Sequence, residues 1–288
     1  MATGTESKRE RDKRHYQRTL FDGIAELYEE SRPGYPASVM ELVAATAGLG
    51  AGAAVLEIGC GTGQLTERLA SCGFRVTAID IGPSLVAAAR RRPRPVGADV
   101  SFQVTSFEDL AAADATFDLV ISSAAFHWID PEVAFSKSAR LLRAGGWLAL
   151  LGTEEQYDDP VAAALDALWI KHGDTGGAWE RRPSDPEAVA ATGLFGPPAG
   201  LTDQQRAALP PAAVIALEST RATFLSWTDD TQRGFTEDLR QLLDPLRAVH
   251  LTRCTAITMA PVLSAAQLAS YRAGAGRRLD DRSGNGEG

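Results

Sequence analysis

The sequence predicts a doubly wound, Rossmann-like α/β fold: a mostly parallel seven-stranded sheet carrying helical lid and cap elements. Three observations predict it. Strand-sized apolar runs recur between helix-sized stretches through residues 53–151, a glycine-rich turn follows the first run, and residues 251–259 alternate with period two. Consecutive βα units place parallel strands side by side through right-handed crossovers. With 288 residues, 44% hydrophobic and 23% charged, the chain can bury the core of one large domain or of a domain plus a cap.

Taken in order, residues 1–18 are dense in charge and hold almost nothing apolar before Leu20 and Phe21, which predicts a disordered basic arm. Residues 19–50 are read as a lid, 51–155 as the ligand-binding core, 156–271 as cap helices and last strands, and 272–288 as a second disordered tail. Within the core, residues 53–58 (AAVLEI) form a strand, 59–63 a turn, and 64–71 a helix with Leu65 and Leu69 on one face. Residues 74–79 are the second strand, and Pro83 opens a helix through Arg90, since proline is tolerated in a first helical turn. Strands follow at 100–104, 117–122 and 147–151. Beyond residue 153 the pattern predicts helices over 161–170, 211–227 and 236–246, loop over 174–199, and a strand over 251–259; residues 200–209 fit either strand or helix.

The net charge of −8 argues against a nucleic-acid or anionic-membrane surface, because phosphate binding needs a basic face. The one feature favouring nucleic acid is the arm, with Lys8, Arg9, Arg11, Lys13 and Arg14. Cys60, Cys72 and Cys254 form no CxxC pair and leave an odd count, which predicts free thiols in a reducing compartment. No apolar stretch with a small-residue cleavage site opens the chain, and no run of about 18 apolar residues could span a bilayer, so cytoplasm is the expected location. No set of His, Cys and carboxylate falls at zinc-site spacing, so no metal is expected.

The turn carries the functional inference. Residues 55–66 read V-L-E-I-G-C-G-T-G-Q-L-T, with Gly59, Gly61 and Gly63 stripping side chains from the carboxyl end of a strand, where open α/β sheets bind ligands. A dinucleotide fingerprint needs a small residue where Gln64 stands. Glu57, two residues before the first glycine, instead makes E-x-G-x-G-x-G, suited to a ligand with an amino group and no pyrophosphate. That favours S-adenosylmethionine (SAM) over NAD. Asp80 ends the second strand, where a carboxylate accepts ribose hydroxyls.

These residues, VLEIGCGTG (55–63), AID (78–80), FDLVISSAAFHW (117–128) and LLRAGGWLAL (141–150), resemble the class I SAM-dependent methyltransferases of the type 11 small-molecule group. The likeness covers about residues 20–155, and FDGIAELYEESRPGYP (21–36) resembles a lid segment of one branch. It implies that Gly59, Gly61 and Gly63, with Glu57, Thr62 and Ser122 around them, hold the methionine part of SAM. Asp80 would hold the ribose; Ile81, Ser106 and Phe107 would hold adenine, although position 106 lacks the acid often found there. Tyr28 and Arg32 would close over the methionine carboxylate.

Methyl transfer needs positioning more than acid–base chemistry. A hydroxyl acceptor benefits from a base, and His127, at the carboxyl edge of the sheet beside Trp128, is the candidate among His15, His127, His172 and His250. Trp128, Arg221 and Trp227 are the candidates for contact with the acceptor, and Trp169, Trp179 and Trp227 read as core or wall rather than a specific cage. The expected reaction moves a methyl group from SAM to a hydroxyl or carboxylate oxygen of a small molecule in secondary metabolism, leaving S-adenosylhomocysteine. N- or C-methylation, a SAM-binding protein that does not methylate, and an NAD-dependent oxidoreductase are the alternatives. A homodimer is compatible with the sequence.

Overall fold

The computed structural model describes residues 12, 16–174, 185–264 and 266–268. Most of the basic arm, His15, Trp179 and the tail 272–288 lie outside the described residues. Residues 16–18, assigned to the arm from their charge, are helical.

Helices α1 (Ala25–Ser31) and α2 (Ala37–Ala47) precede the sheet. The core then runs β1 (Ala54–Ile58), α3 (Gln64–Ser71), β2 (Arg75–Asp80), α4 (Pro83–Arg91), β3 (Val100–Val104), β4 (Phe117–Ser123), α5 (Pro131–Leu141) and β5 (Leu142–Tyr157). After it come α6 (Val161–Lys171), α7 (Pro186–Ala191), β6 (Ala199–Leu209), α8 (Pro211–Glu218), α9 (Ala222–Leu225), α10 (Asp229–Leu243) and β7 (Val249–Pro261). The seven strands lie in the order β3-β2-β1-β4-β5-β7-β6; β1 to β5 pair in parallel, and β7 joins β5 and β6 antiparallel.

Period-two alternation explains how one sheet serves two cores. Val55, Val76, Ala78, Leu119, Ile121, Ala149 and Leu151 point to one face, which α2, α3 and α4 cover through Val39, Met40, Val43, Leu65, Leu69 and Val86. Their strand neighbours Leu56, Ile58, Ile79, Val120, Leu148 and Leu150 point to the other, under Ala134 and Leu141 of α5 and Val189 of α7. Strands buried on both faces read as continuous apolar runs, which is why they are visible in sequence. A third cluster joins α6, α8, α9 and α10, with Leu165, Trp169, Val214, Phe224, Phe235, Leu239 and Leu243 around Val249.

Beyond residue 141 one open reading is resolved and four change. Residues 199–209 are strand, paired along their length with β7. The helix expected over 211–227 is two, because Ser219 Oγ donates to the Ile215 carbonyl and Thr220 Oγ1 to the Leu217 carbonyl, so side chains compete with the helical ladder at the break. The last helix starts at Asp229, capped by Thr228, whose Oγ1 accepts from the Thr231 amide. Strand β5 runs well past Leu151, and the expected loop over 174–199 contains α7, opened by Pro186.

Candidate functional site

The site forms where the carboxyl ends of β1, β2 and β4 meet α1. At the end of β1 the chain turns through Gly59, Gly61 and Gly63, at φ of +71°, +52° and +87°. Only glycine takes this path without strain. Gly59 and Cys60 donate their amides to the Ile79 carbonyl at 2.9 and 3.0 Å, so the turn is held against the end of β2. A Cβ on Gly59 would lie 2.2 Å from the Ala125 Cβ, so the turn after β4 crosses directly over this glycine. Ala124 in that crossing turn sits at φ +52°, a left-handed conformation that costs a non-glycine residue about 1 kcal/mol or more.

Three chambers meet here, and Tyr28 and Ala124 line all three. The first, of about 720 Å³, has apolar walls from Ile81, Leu85, Phe107, Trp128 and Ile129, with Asp80 at its polar end. Asp80 Oδ2 accepts the Gly61 amide and Oδ1 the Gly82 amide, each at 2.9 Å. A carboxylate has about four acceptor directions, so these two bonds do not exhaust it. Burial lifts the Asp80 pKa above the usual carboxylate range against the pull of the Gly82 and Gly61 amides.

The second chamber, also about 720 Å³, lies beside residues 32–36 and carries more polar groups than the first. Glu57, Arg32, Tyr35 and Gln64 face it, and the extensions of β5 and β7 supply Thr153, Glu155, Arg253 and Thr255. Glu155 stands opposite Arg253 in the register, Thr153 opposite Thr255, and Arg253 Nε lies 3.4 Å from Glu155 Oε1. Tyr35 shares a hydrogen bond with Ser123 Oγ, and burial pushes its hydroxyl up to about 12. Gln64 Oε1 accepts from Thr62 Oγ1, while Gln64 Nε2 is buried without a partner among the described residues.

Glu57 is 1% exposed and accepts one hydrogen bond from Thr66 Oγ1 at 2.6 Å. Burial, reinforced by the charge of Asp80, pushes its carboxyl from 4.5 to about 8 despite that bond. The folded protein therefore holds a proton that the unfolded chain releases. Its contribution to stability is present below pH 4.5 and lost as the pH rises to about 8. We expect Glu57→Gln to flatten this fall, raising Tm relative to wild type by several degrees at pH 8 and little at pH 5, in thermal melts across that window. A cation in the chamber would favour the carboxylate, so ligand binding near neutral pH should release a proton.

The third cavity, about 1200 Å³ and open to solvent, lies between α1, the 126–128 turn and the cap. His127 and Trp128 line it, their ring centroids 4.4 Å apart. Arg32 enters from the lid, with Nε 2.9 Å from Thr220 Oγ1 and its guanidinium carbon 5.4 Å from the Tyr28 ring centroid. Arg221 enters from the cap. Its Nε lies 2.7 Å from Glu218 Oε2, and Glu218, fully buried, also accepts from Tyr157 Oη and Trp169 Nε1 at 2.7 and 3.2 Å. That buried network fixes the guanidinium at the cavity wall.

Of the sequence-derived residues, Tyr28, Arg32, Glu57, Gly59, Gly61, Asp80, Ile81, Phe107, His127, Trp128 and Arg221 line the connected chambers. Five do not. Thr62 is fully buried beneath the turn, and Gly63 faces α4, where a Cβ would meet the Ala89 Cβ at 3.0 Å. Ser122 points into the sheet, with Oγ donating to the Ile58 carbonyl, and the lining falls to Ser123 and Ala124. Ser106 Oγ is engaged with Asp109, and Thr105, Phe107 and Glu108 form that wall instead. Trp227 lies in the aromatic cluster of the cap, its centroid 5.1 Å from Trp169 and 5.3 Å from Phe235. Arg18, Phe21, Glu108, Glu155 and Arg253 were not singled out in the sequence; they sit outside any turn motif. No group of His, Cys, Asp and Glu among the described residues is arranged to hold a metal ion.

Residues 56–150 match the family model of a methyltransferase domain. The ubiquinone biosynthesis O-methyltransferase of Xanthomonas axonopodis pv. citri is 45% identical over 102 residues, covering 35% of this chain and 43% of that protein. Its counterpart from Xylella fastidiosa is 34% identical over 147 residues, covering 42% and 60%. The chain thus spans about half the length of the curated relatives it matches. Among solved structures, a candidate type II methyltransferase from Anaeromyxobacter dehalogenans superposes with a TM-score of 0.59 at 24% identity, over 81% of this chain and 98% of that one. Phosphoethanolamine N-methyltransferase 2 from Haemonchus contortus, solved in complex with SAM, superposes with a TM-score of 0.51 at 18% identity, over 92% and 62%. Residues 56–150 therefore match a methyltransferase domain, and the seven-stranded sheet that includes them is the fold this chain shares with those solved methyltransferases.

Proposed function

We propose that this protein transfers a methyl group from SAM to an oxygen, hydroxyl or carboxylate, of a small-molecule acceptor. The observation that carries the reading is the meeting of three chambers of different chemistry at Tyr28 and Ala124. The first offers apolar walls and the carboxylate of Asp80, suited to a nucleoside. The second offers Glu57 for an ammonium and Arg32 for a carboxylate, suited to an amino-acid end. The third offers room, aromatic walls and His127. The curated relatives, 45% and 34% identical over the matched part, are named O-methyltransferases, which favours oxygen as the acceptor atom. We read residues 19–50 as the lid over this site and 156–271 as the cap that selects the acceptor.

SAM, when bound, supplies a methyl group on a positively charged sulfur. The chain's residues supply position and protection. Asp80 fixes one end, Glu57 and Arg32 the other, and Tyr28 with Ala124 stands between the cofactor chambers and the outer cavity. His127 takes the proton from an acceptor hydroxyl, and Trp128 packs against the acceptor. Holding reactants about 3 to 3.5 Å apart can itself account for much of the acceleration.

The test is release of S-adenosylhomocysteine by purified protein given SAM and a panel of phenols, alcohols, carboxylates and amines. Release with oxygen acceptors supports the proposal, and release with amines alone would move it to nitrogen. With an active acceptor, His127→Ala should lower kcat by about 100-fold or more, the usual scale of acid–base catalysis, and leave SAM affinity within about twofold. Unchanged turnover would reduce His127 to a wall residue.

A further inference from the structure

Two buried polar atoms on the wall of the apolar chamber lack partners among the described residues: Arg18 Nε, a donor, and Glu108 Oε2, an acceptor. They belong to one ion pair. Arg18 Nη1 lies 3.0 Å from Glu108 Oε1, with side chains 15% and 25% exposed. Glu108 Oε1 also accepts the Asp130 amide at 3.2 Å, and Lys137 Nζ holds the loop by donating to the carbonyls of Glu108 and Leu110 at 3.0 and 2.8 Å. The carboxylate is thus anchored through one oxygen while the other is left over. Buried polar atoms left unpaired are costly, and such an atom in a native protein calls for an explanation.

A ligand edge presenting one donor beside one acceptor explains both atoms at once. The pair is neutral overall, so it suits a neutral edge and not a phosphate. The walls beside it, Ile81, Phe107 and Ile129, are apolar and suit a flat ring. Adenine has this edge: an exocyclic amino group that donates, next to a ring nitrogen that accepts. Ser106, the position where an acid was expected, has its hydroxyl engaged with Asp109 and cannot serve.

We propose that Arg18 and Glu108 form the base-reading pair of this chamber, Glu108 Oε2 accepting from the adenine amino group and Arg18 Nε donating to the adjacent ring nitrogen. The pair makes the segment before the lid part of the cofactor site. The inference rests on the reading of this chamber as a nucleoside site, and it adds a specificity: a 6-oxo purine has an acceptor where adenine has a donor and a ring N–H where adenine has an acceptor, so its oxygen is set against the Glu108 carboxylate and its N–H against Arg18 Nε.

The experiment compares calorimetric binding of S-adenosylhomocysteine with that of S-inosylhomocysteine, its deaminated analogue. Wild type should prefer the adenine compound by about 10- to 100-fold, the scale of a hydrogen bond to a charged group. Glu108→Gln can donate an amide hydrogen to the 6-oxo group while the ring N–H still faces Arg18 Nε, so its preference should shrink by about threefold or more. Arg18→Met should weaken adenine binding by about tenfold, and melting curves establish that each variant is folded. Equal wild-type affinity for the two compounds would overturn the proposal without the need of any variant. So would full discrimination in a folded Glu108→Gln, or unchanged adenine affinity in a folded Arg18→Met; in all three results S-adenosylhomocysteine still binds and the methyltransferase reading stands. If neither compound binds wild type, that reading fails and this one with it.

Discussion

Gly59→Ala is expected to abolish measurable SAM binding, a loss of at least about 100-fold. Two costs combine. A non-glycine residue at φ +71° is strained by about 1–2 kcal/mol, and its Cβ would overlap the Ala125 Cβ at 2.2 Å. Backbone must therefore move, and the pieces free to do so are the glycine turn and the turn through Ala124 and Ala125. The first is tied to β2 by two amides on the Ile79 carbonyl, and the second by the Ala124 amide on the Leu151 carbonyl at 3.0 Å. Moving either one shifts walls of the chambers proposed to hold the cofactor. Gly61→Ala is the control, since its Cβ would meet only a Tyr28 ring carbon at 3.9 Å and carries mainly the backbone cost at φ +52°. Calorimetry with SAM and a thermal melt on each variant make the comparison. Wild-type affinity in Gly59→Ala would mean that the turn is not the cofactor cradle.

Asp80→Ala is expected to weaken SAM by at least tenfold and by up to about 100-fold. Ribose hydroxyls bonded to a buried carboxylate contribute about 1.5 to 3 kcal/mol per bond, and the substitution also releases the amides of Gly61 and Gly82. The second effect could loosen the turn by itself. Asp80→Asn separates the two, because an amide can still accept one of those bonds but donates where a ribose hydroxyl would donate. A loss in Asp80→Asn close to that in Asp80→Ala points to the ribose contacts. Unchanged SAM affinity in both would remove the nucleoside from this chamber.

The central sheet was legible because its strands are buried on both faces and read as short apolar runs, and because a turn through Gly59, Gly61 and Gly63 has few other uses. Asp80 and Glu57 were legible by their offsets from that turn. The misplacements have local causes. Ser122 and Ser123 are neighbours at the end of β4, and the parity of a strand decides which faces the ligand; nothing in S-S-A-A states that parity. Ser106 and Glu108 lie in a loop without periodicity, so only the fold shows that the acid two residues on turns inward. Glu155 and Arg253 sit on polar extensions of β5 and β7, past the apolar runs that mark those strands. The T-D-D-T stretch that starts α10 carries a helix-cap signal, and Pro186 after Asp185 a helix-start signal within the expected loop. Trp227 could not be placed, because a tryptophan in an apolar helix suits a core and a cavity wall equally well.

No helix among the described residues is long and apolar enough to cross a membrane. The central claim is that the apolar and polar chambers together are shaped for SAM. Calorimetric titration with SAM, followed by NADH as competitor, tests it most directly. The account predicts saturable one-to-one binding of SAM that NADH does not displace. Tight NADH binding with none for SAM would contradict it.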